Sequence, residues 1–231
     1  MMGKTMLTIL MPCLNEAETL LFCINEAKQF IESSGIAAEI LIADNGSTDN
    51  SIEIATAAGA RVTVEEKRGY GYAVRAGIQA AEGKYIIMGD CDGSYDFTKL
   101  QPFVEKMEVG FVLVVGNRLH AEMEKKAMPF LHRYIGVPGL SYLAAKRFGI
   151  DCVQDFHCGL RGFYADVAQK LPFSTGGMEF ATEMIAEFAR TGVDICEVPI
   201  RFRKDKRSGN SHLRTFRDGW RHMWYIMKKR K

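Results

Sequence analysis

No apolar run in this 231-residue sequence reaches the ~18–20 residues that a membrane-spanning helix requires. The six cysteines (Cys13, Cys23, Cys91, Cys152, Cys158 and Cys196) show no C-x-x-C pair and no even spacing. Scattered free thiols in a chain of this length point to the reducing cytoplasm. The start, Met1-Met2-Gly3-Lys4, leads directly into a strand-like run and lacks the small-residue cleavage site of a signal peptide. No Gly-x-Gly-x-x-Gly follows that run, which sets dinucleotide-dependent dehydrogenases aside. Internal repeats and low-complexity segments are also missing. What remains is ordinary for a folded chain: 47% hydrophobic and 25% charged residues, enough for one domain with a substantial core.

A net charge of +2 conceals an asymmetry. Residues 1–200 carry 18 Lys/Arg against 26 Asp/Glu, a balance of −8, whereas residues 201–231 carry 12 against only Asp205 and Asp218, a balance of +10. Basic tails of this kind meet phosphates of nucleotides, lipids or nucleic acid. The organisation expected is one α/β domain over residues 1–203, followed by a basic loop and helix over 204–231.

Short apolar runs predict buried strands over residues 5–11 (closed by Pro12), 39–43, 60–64 and 85–88. Helices are expected between them. Leu20, Ile24, Ala27 and Ile31 have helical spacing within residues 16–33, and Gly35 stops that helix. Ser47 or Thr48 can cap a second helix to residue 58, and residues 70–81 give a third. Alternation of this kind implies a mainly parallel sheet flanked by helices, with ligands beyond the carboxyl ends of the strands. Polar clusters fall at those ends: Asn15-Glu16, Asp44-Asn45 and Asp90–Asp92. Farther on, residues 111–116 predict a strand, 119–130 a loop, 129–148 and 178–190 helices, and 195–202 a strand that Pro199 places near an edge.

Gly89-Asp90-Cys91-Asp92-Gly93 is the sharpest feature. Two carboxylates at i and i+2 after a buried strand can direct oxygens at one Mg²⁺ or Mn²⁺, leaving positions for water and phosphate. The alternative is a turn with two solvated aspartates. The order of motifs then decides: Pro12-Cys-Leu14-Asn-Glu16, Ala43-Asp44-Asn-Gly-Ser47-Thr48-Asp49, Gly69-Tyr-Gly71 through Gly77, and Gly89 through Asp92. Together they resemble the nucleotide-sugar domain of family-2 glycosyltransferases with the GT-A (Rossmann-like) fold. The nearest resemblance is to the polyprenyl-phosphate (dolichyl-phosphate) mannosyl- and glucosyltransferase branch. Residues 154–163, Glu197-Val-Pro-Ile200 and Arg207-Ser-Gly-Asn-Ser-His212-Leu213 extend it over almost the whole chain.

That resemblance implies a nucleotide-sugar donor bound by Pro12, Leu14, Glu16, Asp44, Gly71, Asp90, Cys91, Asp92, Arg207 and His212. Asp92 would be the principal metal ligand and Asp90 would face the ribose and metal, the cofactor being Mg²⁺ or Mn²⁺. Relatives often carry glutamine where this chain has Ser94, and lysine where it has His212. Arg118 and Arg133 would meet an acceptor phosphate, because a guanidinium fork suits phosphate oxygens. Asp155 or Glu179 could act as general base toward a hydroxyl acceptor, but an acceptor phosphate needs none. Asp92, Arg118 and Asp155 are the expected catalytic residues. The implied acceptor is polyprenyl phosphate; a soluble glycan or protein hydroxyl is the alternative, and a non-catalytic lipid- or phosphate-binding module a remote one.

Leu213, Phe216, Trp220, Met223 and Met227 recur every three or four residues among Arg214, Arg217 and Arg221. They predict an amphipathic helix with Phe216, Trp220 and Trp224 at an anionic membrane surface, on the inner face of the cell membrane, with no role for nucleic acid. The same stripe could instead pack on the sheet.

Overall fold

The structure, a computed structural model, describes residues 5–120, 123–125, 127–208 and 215–228. Strands β1 (Leu7–Cys13), β2 (Ala38–Asp44), β3 (Arg61–Val64), β4 (Tyr85–Met88), β5 (Leu113–Asn117), β6 (Arg161–Tyr164) and β7 (Ile195–Pro199) form one sheet, ordered β3-β2-β1-β4-β6-β5-β7. Neighbours run parallel except β6, which is antiparallel to both β4 and β5. The sheet is therefore mixed and mainly parallel, as expected, and β7 lies at an edge. Every residue of β1 and β4 is buried, so both faces are covered and the runs read as continuously apolar.

Helices α1 (Leu20–Ser34), α2 (Ser51–Ala57), α3 (Tyr70–Ala80), α4 (Gln101–Glu108), α5 (Val137–Phe148), α6 (Ala165–Ala168), α7 (Phe180–Arg190) and α8 (Thr215–Met227) pack around it. In α1 the stripe Leu20, Cys23, Ile24, Ala27 and Phe30 is buried, and left-handed Gly35 ends the helix with a bond to the Ile31 carbonyl.

Three expectations change. Pro12 does not close β1, which continues to Cys13. Leu10 and Pro12 turn their carbonyls toward Gly89 N–H and Cys91 Sγ, just past the end of β4, so the missing proline N–H costs no ladder bond. The helix expected over 129–148 begins as a π-helical turn, His132–Gly136, before α5. On the helix expected over 178–190, Glu179 and Glu183 lie one turn apart, a spacing that suits a polar face, yet both are buried. Glu183 is fully buried and accepts four bonds from the backbone and hydroxyls of Ser174 and Thr175.

Reversed β6 has a positional effect. Parallel strands deliver their exit loops to the carboxyl rim, whereas an antiparallel strand delivers its entry loop. Residues 155–160 thereby join the loops after β1, β2, β4 and β5.

Candidate active site

The loops leaving β1 and β2 are cross-linked. Asn15, in the left-handed region at φ 56°, accepts from Thr48 N–H at 2.7 Å, and its own N–H donates to Ser47 Oγ at 2.9 Å. Glu16 N–H donates to Ser51 Oγ at 3.0 Å and Ala17 N–H to Asp49 Oδ2 at 3.0 Å. Asp44, 1% exposed, uses Oδ2 for Gly46 and Ser47 N–H, while its Oδ1 is buried with no hydrogen-bond partner in the protein. An unfilled buried acceptor is costly, so this oxygen fits a donor group of a ligand. Half-buried Leu14 directly follows Cys13, the residue that pairs with Asp44 across β1 and β2.

After β4, Ser94 N–H and Oγ both donate to Asp92 Oδ1, at 2.9 and 2.6 Å, which fixes that carboxylate and leaves Oδ2 to Arg207. A strap over residues 203–208 covers this loop. Arg203 N–H donates to the Ser94 carbonyl, Lys206 N–H to the Asp92 carbonyl, and Arg203 forks onto Glu26 at 2.7 Å. Arg207 lies at the centre, with Nη1 2.8 Å from Glu16, Nη2 3.3 Å from Asp92, and its remaining donors on Asp205. His212 lies outside the described residues.

Among the described residues no three carboxylate, imidazole or thiol groups converge into a ready-made metal cage. The oxygen donors nevertheless suit a hard cation. Mg²⁺ and its kin are held by one or two carboxylates plus substrate phosphates and water, and a guanidinium already sits among these carboxylates. Burial, reinforced by Asp92 and only partly countered by Tyr70, pushes Asp90 up to about 6. Burial outweighs Arg207 at Glu16, where Asp92 and Asp205 add to the effect, and its carboxyl rises to about 7. The folded chain thus holds the Glu16 proton more tightly than the unfolded one. That contribution is complete below about pH 4.5 and is lost as pH rises through 7. Without metal, Glu16→Gln should therefore gain on the wild type by on the order of 5–10 °C in Tm between pH 5 and pH 8. Thermal melts at both pH values check this; a constant gap would contradict it.

Close approach makes two glycines obligatory. A Cβ on Gly159 would stand 2.6 Å from Asp90 Oδ2 and 3.1 Å from the Tyr95 hydroxyl, which itself accepts Gly159 N–H. Gly159→Ala should displace Asp90, cost about 1–3 kcal/mol and weaken nucleotide binding, read by urea melts and calorimetry. At Gly71 a Cβ would meet the Thr175 carbonyl at 2.6 Å, and Gly71 N–H donates to Gly176 O. Gly71 thus seats α3 on the loop before α7. Cys91 is buried, its Sγ donating to the Pro12 carbonyl and its own carbonyl accepting from Thr19.

Arg118 and Asp155 form a buried fork, Nε to Oδ2 at 2.7 Å and Nη2 to Oδ1 at 2.8 Å, with Phe202 stacked on the guanidinium at 5.2 Å. Burial opposes ionisation of Asp155, but the Arg118 charge and hydrogen bonds together hold its carboxyl below the usual range. A carboxylate so gripped is a poor proton acceptor; it orients Arg118. Arg133 does not join this fork. It lies in a cleft of about 550 Å³ lined by His120, Tyr134, Tyr142 and Gln154, stacked on Tyr134.

Helix α8 does not pack its tryptophans on the sheet, the alternative placement. Asp218, His222, Tyr225 and Ile226 face the body, where His222 bonds Thr182 at 2.8 Å and Arg221 pairs with Glu179 at 2.9 Å. Trp220 (72% exposed), Trp224 (57%) and Met227 (70%) face outward. The side chain of Phe216 lies outside the described residues.

The fold thus gathers Glu16, Asp44, Asp90, Cys91, Asp92 and Arg207 at one rim, sets Arg118 and Asp155 on its neighbouring loops, and leaves Arg133 in the adjoining cleft. Sequence reasoning missed Ser94 as the holder of Asp92, and Asp205 and Glu26 as anchors of the strap. It also missed Asn117 and Glu197 behind Asp155. The concentration of Arg and Lys over 201–207 was the one available signal for the strap.

The glycosyl transferase family 2 model matches residues 8–171. The chain belongs to that family. It is 37% identical over 222 residues to the low-salt glycan biosynthesis hexosyltransferase Agl6 of Haloferax volcanii, covering 96% of this chain but 53% of that relative. A dolichyl-phosphate hexose transferase of the same organism is 32% identical over 182 residues, covering 79% of this chain and 76% of that one. The chain therefore spans about half the length of the first of these relatives. Glucosyl-3-phosphoglycerate synthase from Mycobacterium tuberculosis, crystallised with Mn²⁺, UDP and glucosyl-3-phosphoglycerate, superimposes with a TM-score of 0.70 at 22% identity, covering 89% of this chain and 73% of that one. That likeness identifies the fold as GT-A.

Proposed function

We propose that this family-2 chain transfers a hexose, with inversion, from a GDP- or UDP-sugar to polyprenyl phosphate at the cytoplasmic membrane face. The observation that carries the reading is the cleft beside Arg118. Its polar groups are Arg133, His120, Gln154, Ser141 and one carboxylate, Asp151, and its apolar wall includes Tyr134, Pro138, Tyr142 and Ala145. Phe130, Leu131, Ile135 and Leu143, on the same stretch of chain, are exposed. An acceptor with a phosphate head and a hydrocarbon tail matches both halves. The relative named as a dolichyl-phosphate hexose transferase supports the same class.

In the reaction an acceptor phosphate oxygen bonds to the anomeric carbon while the bond from that carbon to the nucleoside diphosphate breaks, its electron pair leaving with the diphosphate. No proton is removed, which agrees with the lowered, ion-paired state of Asp155. Asp44 Oδ1 accepts from the donor's base or ribose. Asp90 and Asp92 would hold Mg²⁺ or Mn²⁺, which when bound neutralises charge on the departing diphosphate. Arg118 orients the acceptor phosphate and Arg207 faces the diphosphate. No helix among the described residues is long and apolar enough to cross a membrane. The outward Trp220 and Trp224, with Lys228 stacked on Trp224, would instead rest in the interface of an anionic bilayer.

Membranes containing polyprenyl phosphate, supplied with labelled UDP-glucose or GDP-mannose and Mn²⁺, provide the test. Label should enter the organic extract from one donor. Label appearing only in a soluble glycan or protein would replace the lipid acceptor. Combining Trp220→Ala with Trp224→Ala should weaken binding to anionic vesicles by about tenfold.

A further inference from the structure

We propose that Glu197, on β7, is a positioning residue for Arg118, acting through two hydrogen-bonded branches that meet at its carboxylate. The inference rests on Arg118 being the group that meets the acceptor phosphate.

In the first branch, Glu197 Oε1 accepts the N–H groups of Gln154 and Asp155, at 2.7 and 2.8 Å. This pins the turn that presents Asp155, whose oxygens grip the guanidinium and whose Oδ2 also accepts Arg118 N–H at 3.2 Å. In the second, Glu197 Oε2 accepts from Asn117 Nδ2 at 2.7 Å, and Asn117 Oδ1 accepts Leu119 and His120 N–H at 2.8 and 3.3 Å. Those two amides belong to the turn directly after Arg118. Register explains the reach. Glu197 pairs with Val115 on parallel β5 and Pro199 pairs with Asn117, so Glu197 and Asn117 lie two positions apart along neighbouring strands. The backbone on either side of Arg118 and the partner of its guanidinium are therefore both referenced to one side chain, some 80 residues away in sequence.

The residue type follows from the count of donors. Three N–H groups converge on Glu197, and a carboxylate is the side chain that accepts at both oxygens and donates at neither. Glu197→Gln keeps the shape and one acceptor oxygen for Gln154 and Asp155, but sets an amide NH₂ against that of Asn117. Adding Asn117→Asp restores the link with donor and acceptor exchanged, because a carboxylate at position 117 accepts from the new amide and still accepts from Leu119 and His120. Net charge is unchanged by the pair.

Three readouts on the full chain test this. They are the Arg118 Nε–Hε signal in a nitrogen-correlated NMR spectrum, calorimetric binding of citronellyl phosphate as a soluble isoprenyl phosphate, and binding of UDP or GDP with Mn²⁺. Glu197→Gln should broaden the Arg118 signal and weaken citronellyl phosphate by about tenfold, the scale that supporting hydrogen bonds of a functional group carry, with nucleotide affinity changed by less than about twofold. The double variant should restore both the signal and the affinity, which a merely structural role for either residue would not produce. An unchanged Arg118 signal in Glu197→Gln, or a double variant as weak as the single, overturns the proposal. Should the wild type bind no isoprenyl phosphate while the Arg118 signal still follows the substitution and its rescue, the positioning role stands and the acceptor reading falls.

Discussion

Asp92→Ala should lower transfer by about a thousandfold, equivalent to roughly 4 kcal/mol of transition-state stabilisation, while leaving the fold intact. Asp92 is itself half-buried on an otherwise buried loop, and its loss removes no apolar group from the core. Buried Ser94 loses the acceptor of both its N–H and Oγ, whereas Arg207 keeps Glu16 and Asp205 as partners. Stability should fall by about 1–3 kcal/mol, the cost of leaving buried donors unpaired, with the fold retained. Manganese binding followed by paramagnetic resonance in the presence of UDP or GDP should weaken in parallel with activity. Transfer within about tenfold of wild type, with manganese still bound, would remove Asp92 from the site.

Arg118→Met should cost both activity and stability, and a second substitution separates the two. Removing the guanidinium strands a fully buried carboxylate at Asp155. Breaking a buried pair from one side costs about 3–5 kcal/mol, on the order of 10 °C in Tm for a chain of this length. Combining it with Asp155→Leu removes the stranded charge and should recover most of that loss, because replacing both partners of a buried ion pair by apolar groups is often neutral. Transfer should stay lost in the double variant, since Arg133 remains in the cleft but the guanidinium that orients the acceptor phosphate is gone. A double variant that regains activity would assign Arg118 a structural role alone. Denaturant melts and the organic-extraction assay together distinguish these outcomes.

Much of the rim that carries Asp44, Asp90 and Asp92 was legible in the sequence because it is local. Asp90 and Asp92 follow a buried strand of four apolar residues, and Asp44 ends another, so strand periodicity alone put their carboxylates at one rim. Strand β6 was missed for the opposite reason. It is four residues long, contains a glycine and begins with Arg161, a charged residue that is 1% exposed. Arg161 satisfies its burial by donating to the carbonyls of Phe156, Cys158 and Ala181, partners that only the tertiary fold supplies. Helix α4 was overlooked because its eight residues include Pro102 in the first turn. The hub at Glu197 has no local signature, since its three donors come from segments about 40 and 80 residues away. On α8 the aromatic stripe was visible, but the polar residues that hold its other face to the body were not. A helix that hides Asp218 and His222 and shows water its tryptophans inverts ordinary patterning, and the partners Thr182 on α7 and Glu179 just before it help account for that.

The cross-links between the loops after β1 and β2 bear on how a nucleotide is met. Asn15, Glu16 and Ala17 are tied to Ser47, Thr48, Ser51 and Asp49 within the folded chain, so these loops hold their shape before any ligand arrives. Association then need not freeze them, and the entropy of their ordering belongs to folding rather than to recognition. Discrimination among bases thereby becomes a matter of fit to a finished surface.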